Sequence, residues 1–250
     1  MKLLRFQVHG RTTQGVLEQD VITELEGELF GPCRSLSARY SLSQVKLLAP
    51  CTPSKIVAVG LNYRDHANEL GMQIPDSPIL FLKPPTAVIG HGEVISYPSM
   101  SAQVDYEGEL GVVIKDRVRN IRPDQVRDHV LGYTCVNDVT ARDLQKKDGQ
   151  WTRAKSFDTF CPIGPWIETD LDPDDLLIES YLNGVRRQSS RTSQFIFRVN
   201  HLISFISEIM TLSPGDLVIT GTPSGIGPMK PGDEIEVRIQ GIGSLKNRVG

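Results

Sequence analysis

Alternation of hydrophobic and polar positions recurs along the chain and predicts more strands than helices. The first fifty residues read as short strands and turns. Later strands are predicted in "KIVAVGLNY", "SPILFLKP", "QVDYEGELGVVIKD", "YTCVND", "GDLVITGTP" and "GDEIEVRI". Asn183-Gly184 separates two further strand-like runs and predicts a type I′ hairpin, because both turn positions need a positive φ.

Helical segments are fewer and shorter. "RDHANELG" (64–71) and "RPDQVRDHVLG" (122–132) each predict a helix that ends at a glycine, and "TARDLQKKDG" (140–149) predicts a third. Apolar residues recur with helical spacing from Val199 to Met210 and predict a fourth. The strands do not alternate regularly with helices, so we expect an α+β, mainly β fold and not a doubly wound sheet.

The domain organisation follows from one proline-containing loop. "APCTPSK" (49–55) carries two prolines and marks a boundary. We therefore predict a small N-terminal subdomain at residues 1–50 and the main domain at residues 51–250. A chain of 250 residues can bury a substantial core in such an arrangement.

Composition narrows the class of partner. The chain is 39% hydrophobic and 23% charged, which is typical of soluble globular proteins. Its formal net charge of −3 and the lack of a lysine- or arginine-rich run give no reason to expect nucleic acid or a membrane as partner. We expect a small-molecule partner and, without a signal-peptide core or membrane span, a cytoplasmic location. The four cysteines show no C-x-x-C spacing and are expected to be ordinary reduced thiols.

Three carboxylates alternate in "VDYEGELGVVI" (104–114), where a strand would place Asp105, Glu107 and Glu109 on one face. Water, basic neighbours or a divalent cation could offset their repulsion, and a solvated strand face is the simplest explanation. Gly108 and the apolar residues that follow argue against it, because they are typical of a close-packed strand. Asp138 ends the next buried strand, either displayed at the strand end or as the N-cap of the following helix.

Carboxylate oxygens are hard ligands, so two glutamates and an aspartate suit Mg²⁺ or Mn²⁺. Zinc usually takes histidine or thiolate ligands. Neither the cysteines nor four of the histidines have suitable spacing; these are His9, His91, His129 and His201.

His66 and Glu69 lie three residues apart on a predicted helix, which places both side chains on one face. A carboxylate bonded to one imidazole nitrogen raises the basicity of the other nitrogen and builds a general base. The alternative is an exposed helical pair that contributes only a few tenths of a kcal/mol, about 0.2–0.5 kcal/mol.

Six segments together resemble the fumarylacetoacetate hydrolase family, and its compact acylpyruvate hydrolase and dienedioate isomerase branch in particular. They span most of the chain from about Lys55 onward: "GLNYRDHANELG", "PILFLKPPTAVIG", "VDYEGELGVVI", "VNDVTARDLQ", "WTRAKSFDTFCPIGPW" and "GTPSGIG". The resemblance implies a mixed β-roll fold, a homodimer and a divalent metal, Mg²⁺ or Mn²⁺.

The resemblance also implies roles for individual residues. The implied metal ligands are Glu107, Glu109 and Asp138. The implied catalytic residues are His66, Glu69 and Lys155, and the implied substrate contacts are Arg142, Gln145 and Thr222. A helix that includes Asp138 would bring Arg142 close to it. Without the resemblance, Lys155 and Arg142 could be surface charges and "GTPSGIG" only a tight loop. Lys83 in "FLKP" is a further candidate that we leave out of the predicted site.

The function implied first is metal-dependent hydrolysis of a carbon–carbon bond in 2,4-diketo acids, with release of pyruvate or a related acid. Decarboxylation or tautomerisation of oxaloacetate, or isomerisation of a 2-hydroxyhepta-2,4-diene-1,7-dioate, needs the same stabilised enolate and stays open. A binding module without activity would lack one of the implied metal ligands or one residue of the His66–Glu69 pair, and none of these residues is missing.

Overall fold

The computed structural model describes residues 1–27 and 29–250, and strands dominate it, as predicted. The strands are β1 Lys2–Val8, β2 Arg11–Glu18, β3 Val21–Gly27, β4 Cys33–Ser41, β5 Lys46–Leu48, β6 Ile56–Gly60, β7 Ile79–Lys83, β8 Val88–Ile89, β9 Val94–Ile95, β10 Val104–Tyr106, β11 Gly108–Ile114, β12 Val130–Asn137, β13 Thr140–Ala141, β14 Cys161–Glu168, β15 Leu177–Leu182, β16 Val185–Arg191, β17 Leu217–Ile219, β18 Gly227–Met229, β19 Glu234–Ile239 and β20 Gly243–Val249. The α-helices are α1 Arg64–Leu70, α2 Arg142–Asp148, α3 Thr152–Lys155 and α4 Val199–Ile209. Short 3₁₀ helices span Leu42–Gln44, Pro85–Ala87, Pro123–His129, Pro173–Asp175 and Thr192–Gln194.

The described strands form three sheets. The largest runs in the order β4-β3-β2-β1-β14-β12-β11-β17-β6-β7, with β5 added to β1 and β8 added to β14. A small sheet has the order β13-β10-β18, and a five-stranded sheet has the order β16-β15-β19-β20-β9. The mixture of parallel and antiparallel pairs, with helices as minor elements, is the α+β, mainly β architecture that the pattern predicts.

The N-terminal strands are continuous with the large sheet. β1 to β4 form an antiparallel meander, and β1 also pairs with β14, where Lys2 faces Glu168. The predicted boundary at residue 50 falls in the connection between β5 and β6. The sheet therefore passes across the boundary, and the division into a subdomain at residues 1–50 and a main domain at residues 51–250 stays a prediction.

Strand β11 is buried along its whole length. Leu110 and Val112 pack into one core cluster with Ile203 of α4, whereas Val113 packs into a second cluster with Ile219. Helix α4 presents its apolar stripe to the first cluster, as its spacing predicts. The alternation of acidic and apolar positions in this segment predicts a half-buried strand, and that prediction is wrong because both faces of the sheet are covered.

The single long strand predicted across residues 103–116 is also wrong. β10 and β11 belong to different sheets, and Glu107 lies between them. The Glu107 N–H donates to the side chain of Asn137 (3.0 Å), and the Gly108 N–H donates to the side chain of Gln188 (3.0 Å). Because side chains satisfy these two amides, the chain can pass from one sheet to the other here without leaving either amide unpaired.

Glycines end two of the predicted helices. Gly71 follows α1 with φ 62°, and Gly149 follows α2 with φ 71°. The helix end predicted at Gly132 is wrong, because the 3₁₀ helix leads directly into β12 and Gly132 lies inside that strand. A Cβ at Gly132 would lie 2.4 Å from the carbonyl oxygen of Glu168, so close packing of β14 requires this glycine.

The turn between β15 and β16 and the state of the cysteines agree with their predictions. The hairpin between β15 and β16 forms at Asn183 and Gly184, with φ of 52° and 76° as a type I′ turn requires. The described cysteines are free thiols, as their spacing predicts, and Cys135 is a buried core residue. Across the described residues, no helix is both long enough and apolar enough to cross a bilayer.

Candidate active site

Three carboxylates meet where β10, β11 and β12 converge. One oxygen from each of Glu107, Glu109 and Asp138 lies within 4.8 Å of the others, and all three side chains are buried. The strand register explains the meeting: Gly108 pairs with Asn137 across β11 and β12, and the Asp138 N–H donates to the Glu107 carbonyl (2.8 Å). We call these three residues the acidic triad. A solvated strand face is therefore excluded for them.

Asp138 does not belong to the helix that follows it. The N-cap of α2 is Ala141, so the N-cap alternative is wrong. The expectation that one helix brings Asp138 and Arg142 together is wrong for the same reason. The Arg142 guanidinium instead donates to Asp105 (2.8 Å) and Glu107, because Arg142 begins α2 directly beside β10. Gln145 accepts a hydrogen bond from Arg142 (2.6 Å), and contact of either residue with substrate stays a prediction.

Lys155 lies inside the cluster and is only 2% exposed, which excludes a surface role. Its ammonium donates to Glu107 (2.8 Å) and to Asp138. Helix α3 ends at Lys155 and directs it past Phe81, with the ammonium 5.1 Å from the ring centroid. Lys155 is therefore the bridge between two members of the acidic triad.

Lys83 is the residue that the predicted site leaves out. It ends β7, is 1% exposed, and donates to Asp138 and to the Val139 carbonyl (3.2 Å). The available signal was a lysine two positions after Phe81 in an apolar strand, which places both side chains on the same face. A buried lysine needs a carboxylate partner, and Asp138 is that partner.

The cluster as a whole contains four carboxylates and three cationic side chains, and its pKa values reflect this imbalance. Burial raises the pKa of Glu107, but the charges of Lys155 and Arg142 outweigh it and hold that pKa well below its usual range. Burial raises the pKa of Glu109 far above its usual value, and the charges of Asp138 and Glu107 add to the effect. Burial lowers the pKa of Lys155, yet Asp138 and Glu107 raise it overall, so Lys155 stays protonated.

The acidic triad fits a divalent cation. Its donors are all carboxylate oxygens, they are close enough to share one ion, and Glu109 lacks a cationic partner among the described residues. Since the raised pKa of Glu109 reports an unbalanced negative environment, a cation would relieve the repulsion that now favours a proton. Oxygen-only ligands suit Mg²⁺ or Mn²⁺ better than zinc.

His66 and Glu69 form the pair that their spacing predicts. Both lie on α1, and His66 Nδ1 is 2.9 Å from a Glu69 oxygen. The imidazole is buried, while Glu69 is partly open to solvent. A proton on Nδ1 that is shared with Glu69 leaves Nε2 free to accept one, which is the arrangement of a general base.

One loop, residues 220–227, contacts both the acidic triad and this pair. The Gly221 N–H donates to Glu109 (2.6 Å), and the Gly225 N–H donates to Glu69 (3.0 Å). The Thr222 hydroxyl in the same loop donates to the Gly108 carbonyl (3.0 Å). This hydrogen bond is to the backbone of the site, and contact of Thr222 with substrate stays a prediction. The loop therefore contacts the acidic triad through Gly221 and the His66–Glu69 pair through Gly225.

A cavity of about 800 Å³ lies along β7 and the connection between α2 and α3. Its wall includes Phe81 and Trp151, and it shares Lys83 with the acidic cluster. The acidic triad does not line it. The chemistry of the side chains, and not cavity volume, therefore locates the candidate site.

Comparison with known proteins matches the chain over nearly its whole length. Residues 55–250 match the family model described as fumarylacetoacetate (FAA) hydrolase C-terminal, and residues 1–50 match the model described as Rv2993c-like, N-terminal. The first match includes every residue of the candidate site.

Similar proteins carry names for three related activities. Oxaloacetate tautomerase YisK of Bacillus subtilis is 46% identical over 229 residues, which cover 86% of this chain and 76% of that protein. The structure of 2-hydroxyhepta-2,4-diene-1,7-dioate isomerase from Mycobacterium marinum aligns with a TM-score of 0.93 at 42% identity and covers 100% of this chain and 98% of that chain. The structure of a fumarylacetoacetate hydrolase from Exiguobacterium antarcticum aligns with a TM-score of 0.86 at 36% identity and covers 100% and 99%.

Proposed function

The chain belongs to the fumarylacetoacetate hydrolase family, and we propose that it is a divalent-cation-dependent enzyme that interconverts the enol and keto forms of oxaloacetate or a similar 2-oxo dicarboxylate. One observation carries the proposal: the buried acidic triad and the hydrogen-bonded His66–Glu69 pair contact the same short loop. The arrangement supports the proposal, because charge stabilisation and proton transfer would then take place in one site.

The named relatives support this choice of reaction. The tautomerase is 46% identical to the chain and the isomerase 42%, whereas the hydrolase is 36% identical. Tautomerisation and isomerisation both move a proton on a 2-oxo acid through an enol or enolate. The similarity therefore favours proton transfer without bond cleavage as the first candidate.

His66 is the proposed base. In the keto-to-enol direction, Nε2 takes a proton from the carbon between the keto group and the distal carboxylate, and the electron pair of that C–H bond moves toward the keto oxygen. The keto oxygen then takes a proton from solvent and the His66 imidazolium releases its proton to solvent, so the enol forms with no net gain or loss of atoms. Glu69 holds the imidazole in the required tautomer and stabilises the imidazolium that forms.

Negative charge on the substrate would be stabilised by a bound cation and by Lys155. A divalent cation held by Glu107, Glu109 and Asp138 would supply Lewis-acid stabilisation of negative charge on the substrate oxygens. Lys155 stays protonated beside Glu107 and Asp138, so it adds fixed positive charge and is not the base. Burial of the cluster strengthens these interactions, because the site is largely shielded from water.

Hydrolysis of 2,4-diketo acids is the second candidate. The His66–Glu69 pair favours it, because the same Nε2 can take a proton from water, which then attacks the distal carbonyl. This reaction adds water, breaks a carbon–carbon bond and releases pyruvate or a related acid with a carboxylic acid.

A parallel assay on oxaloacetate and acetylpyruvate separates the candidates. Purified protein is given Mn²⁺ or Mg²⁺, and enol-to-keto conversion of oxaloacetate is followed by ultraviolet absorbance against a blank that contains metal alone. Pyruvate release from acetylpyruvate is measured under the same conditions. We expect chelator-sensitive oxaloacetate conversion to be the faster reaction. Faster pyruvate release from acetylpyruvate would replace the first candidate with the second, and activity on neither substrate would contradict both.

A further inference from the structure

Gln188 on β16 connects two parts of the site through all the hydrogen bonds its amide can make. Its carbonyl oxygen accepts from the Gly108 N–H (3.0 Å) and from the Ser180 hydroxyl (2.7 Å). Its amide group donates to the Thr222 hydroxyl (2.9 Å) and to the Pro223 carbonyl (2.8 Å). The side chain is 1% exposed, so water cannot replace these partners.

The acceptor end of Gln188 fixes the backbone of the acidic triad. Gly108 lies between Glu107 and Glu109, and its carbonyl accepts from Thr222 while its N–H donates to Gln188. A Cβ at Gly108 would lie 2.3 Å from the Ser180 hydroxyl oxygen, so β15 packs directly against this point. A shift of Gly108 would move the two glutamates on either side of it.

The donor end of Gln188 fixes the loop of residues 220–227. Thr222 and Pro223 lie between Gly221, which donates to Glu109, and Gly225, which donates to Glu69. The backbone next to Gln188 supports the same loop: a Cβ at Gly225 would lie 2.2 Å from the carbonyl oxygen of Arg187. Both amides that hold site carboxylates therefore depend on the position of this loop against β16.

We propose that Gln188 is a positioning residue that couples the acidic triad to the His66–Glu69 pair by holding Gly108 and the loop of residues 220–227 in register. The amide is suited to this task because one planar group accepts on one side and donates on the other. An activity assay of this role would rest on the proposed function. Measurements of Mn²⁺ binding and of backbone hydrogen–deuterium exchange do not depend on it.

Gln188→Met tests the proposal, because methionine keeps the volume of the side chain and removes all four hydrogen bonds. Gln240→Met is the matched control: Gln240 accepts from the Leu177 N–H (3.2 Å) at an exposed end of the same sheet. The full-length variants are compared by Mn²⁺ titration calorimetry and by hydrogen–deuterium exchange of the segment 220–227.

We expect Gln188→Met to weaken Mn²⁺ binding by about 10- to 100-fold, as loss of a residue that orients metal ligands does. Exchange at Gly221 and Gly225 should rise, while Gln240→Met should match the wild type in both readouts. Unchanged Mn²⁺ affinity and unchanged exchange in a folded Gln188→Met protein would overturn the proposal.

Gln188→Glu keeps the test decisive if the methionine variant does not fold. Glutamate still accepts from Gly108 and Ser180, but it cannot donate to the Pro223 carbonyl. We expect faster hydrogen–deuterium exchange in the loop than in the wild type. We also expect a smaller loss of Mn²⁺ affinity than in a variant that loses both the accepting and the donating hydrogen bonds of Gln188. Exchange equal to that of the wild type would overturn the proposal. If the wild type binds Mn²⁺ and these differences appear without activity on 2-oxo acids, the proposed function fails and the positioning role stands.

Discussion

Individual buried charges decide what this site can do. The alternate spacing of Glu107 and Glu109 and their apolar neighbours are visible in the sequence, whereas their grouping with Asp138 is what the family resemblance implies. Lys83 could not be predicted as firmly, since its carboxylate partner Asp138 lies 55 positions away and only the fold brings the two together. Residue types and local spacing therefore predict the individual carboxylates better than they predict the cations that balance them.

Protonation of Glu109 should make cation binding depend on pH. Because burial and the neighbouring carboxylates raise its pKa, Glu109 holds a proton at pH values where an ordinary glutamate is ionised, and a cation must displace that proton. Mn²⁺ affinity should therefore increase with pH up to the raised pKa, with proton release on binding. Titration calorimetry in two buffers of different ionisation enthalpy measures this release.

The same proton affects the stability of the metal-free protein. A raised folded-state pKa stabilises the fold below the ordinary glutamate pKa, and this contribution is lost as the pH rises through the raised value. Glu109→Gln should remove both the proton release and most of the Mn²⁺ affinity. Binding by the wild type without proton release would contradict this account.

Removal of Lys83 should destabilise the fold by up to about 3–5 kcal/mol, because it leaves part of the Asp138 charge buried without compensation. Thermal unfolding of Lys83→Met measures the loss, and Lys147→Met at an exposed position is the control. We expect Mn²⁺ to restore part of the lost stability, since a cation on the acidic triad replaces positive charge beside Asp138. Equal melting temperatures for the two variants would contradict a structural role for Lys83.

Secondary structure elements follow the sequence pattern where local chemistry decides and depart from it where long-range contacts decide. The hairpin at Asn183–Gly184 and the helix ends at Gly71 and Gly149 depend on positive φ, which glycine and asparagine favour locally. The break between β10 and β11 depends on two distant side chains. Asn137 lies 30 positions after Glu107, and Gln188 lies 80 positions after Gly108. No local pattern distinguishes such a break from a continuous strand.

The loop of residues 220–227 should be sensitive to a Cβ at Gly221. This glycine has φ +93°, and an added Cβ would lie 2.8 Å from the Cβ of Asn62. Gly221→Ala should therefore shift the amide that donates to Glu109 and lower Mn²⁺ affinity as well as stability.

Gly232→Ala is the matched control for Gly221→Ala. Gly232 also has φ +93°, but an added Cβ would have no neighbour within 4 Å. Both variants should lose about 1–2 kcal/mol from the unfavourable backbone conformation. Only Gly221→Ala should change the Mn²⁺ titration, and equal titrations would show that the loop does not position Glu109.

At the scale of the whole molecule, one sheet joins the N-terminal strands to the strands of the site. Leu3 of β1 packs in the same core cluster as Ile167 of β14, and the N-terminal ammonium contacts Glu168. The candidate site itself lies within residues 55–250. We propose that the N-terminal strands stabilise the sheet without taking part in the chemistry, and that the molecule forms a homodimer, as the resemblance implies.

Deletion of residues 1–50 tests this division. Loss of β1, which pairs with β14, and of the core side chains of β1 to β3 should lower the melting temperature by at least about 10 °C, because each of these side chains contributes about 1.5–3 kcal/mol. Mn²⁺ affinity of the folded fraction should stay within about threefold of the wild type, since distant sites act independently. Loss of Mn²⁺ binding from a folded fragment would place part of the site in the N-terminal strands.

The central claim is that the acidic triad binds a cation and the His66–Glu69 pair moves the proton. The most direct measurement combines Mn²⁺ titration and oxaloacetate turnover on two variants, His66→Ala and Glu107→Gln. We predict that His66→Ala keeps the wild-type Mn²⁺ affinity and loses about 10²- to 10⁴-fold in turnover. Glu107→Gln should lose both. Equal loss of Mn²⁺ binding in the two variants, or full turnover by His66→Ala, would contradict the claim.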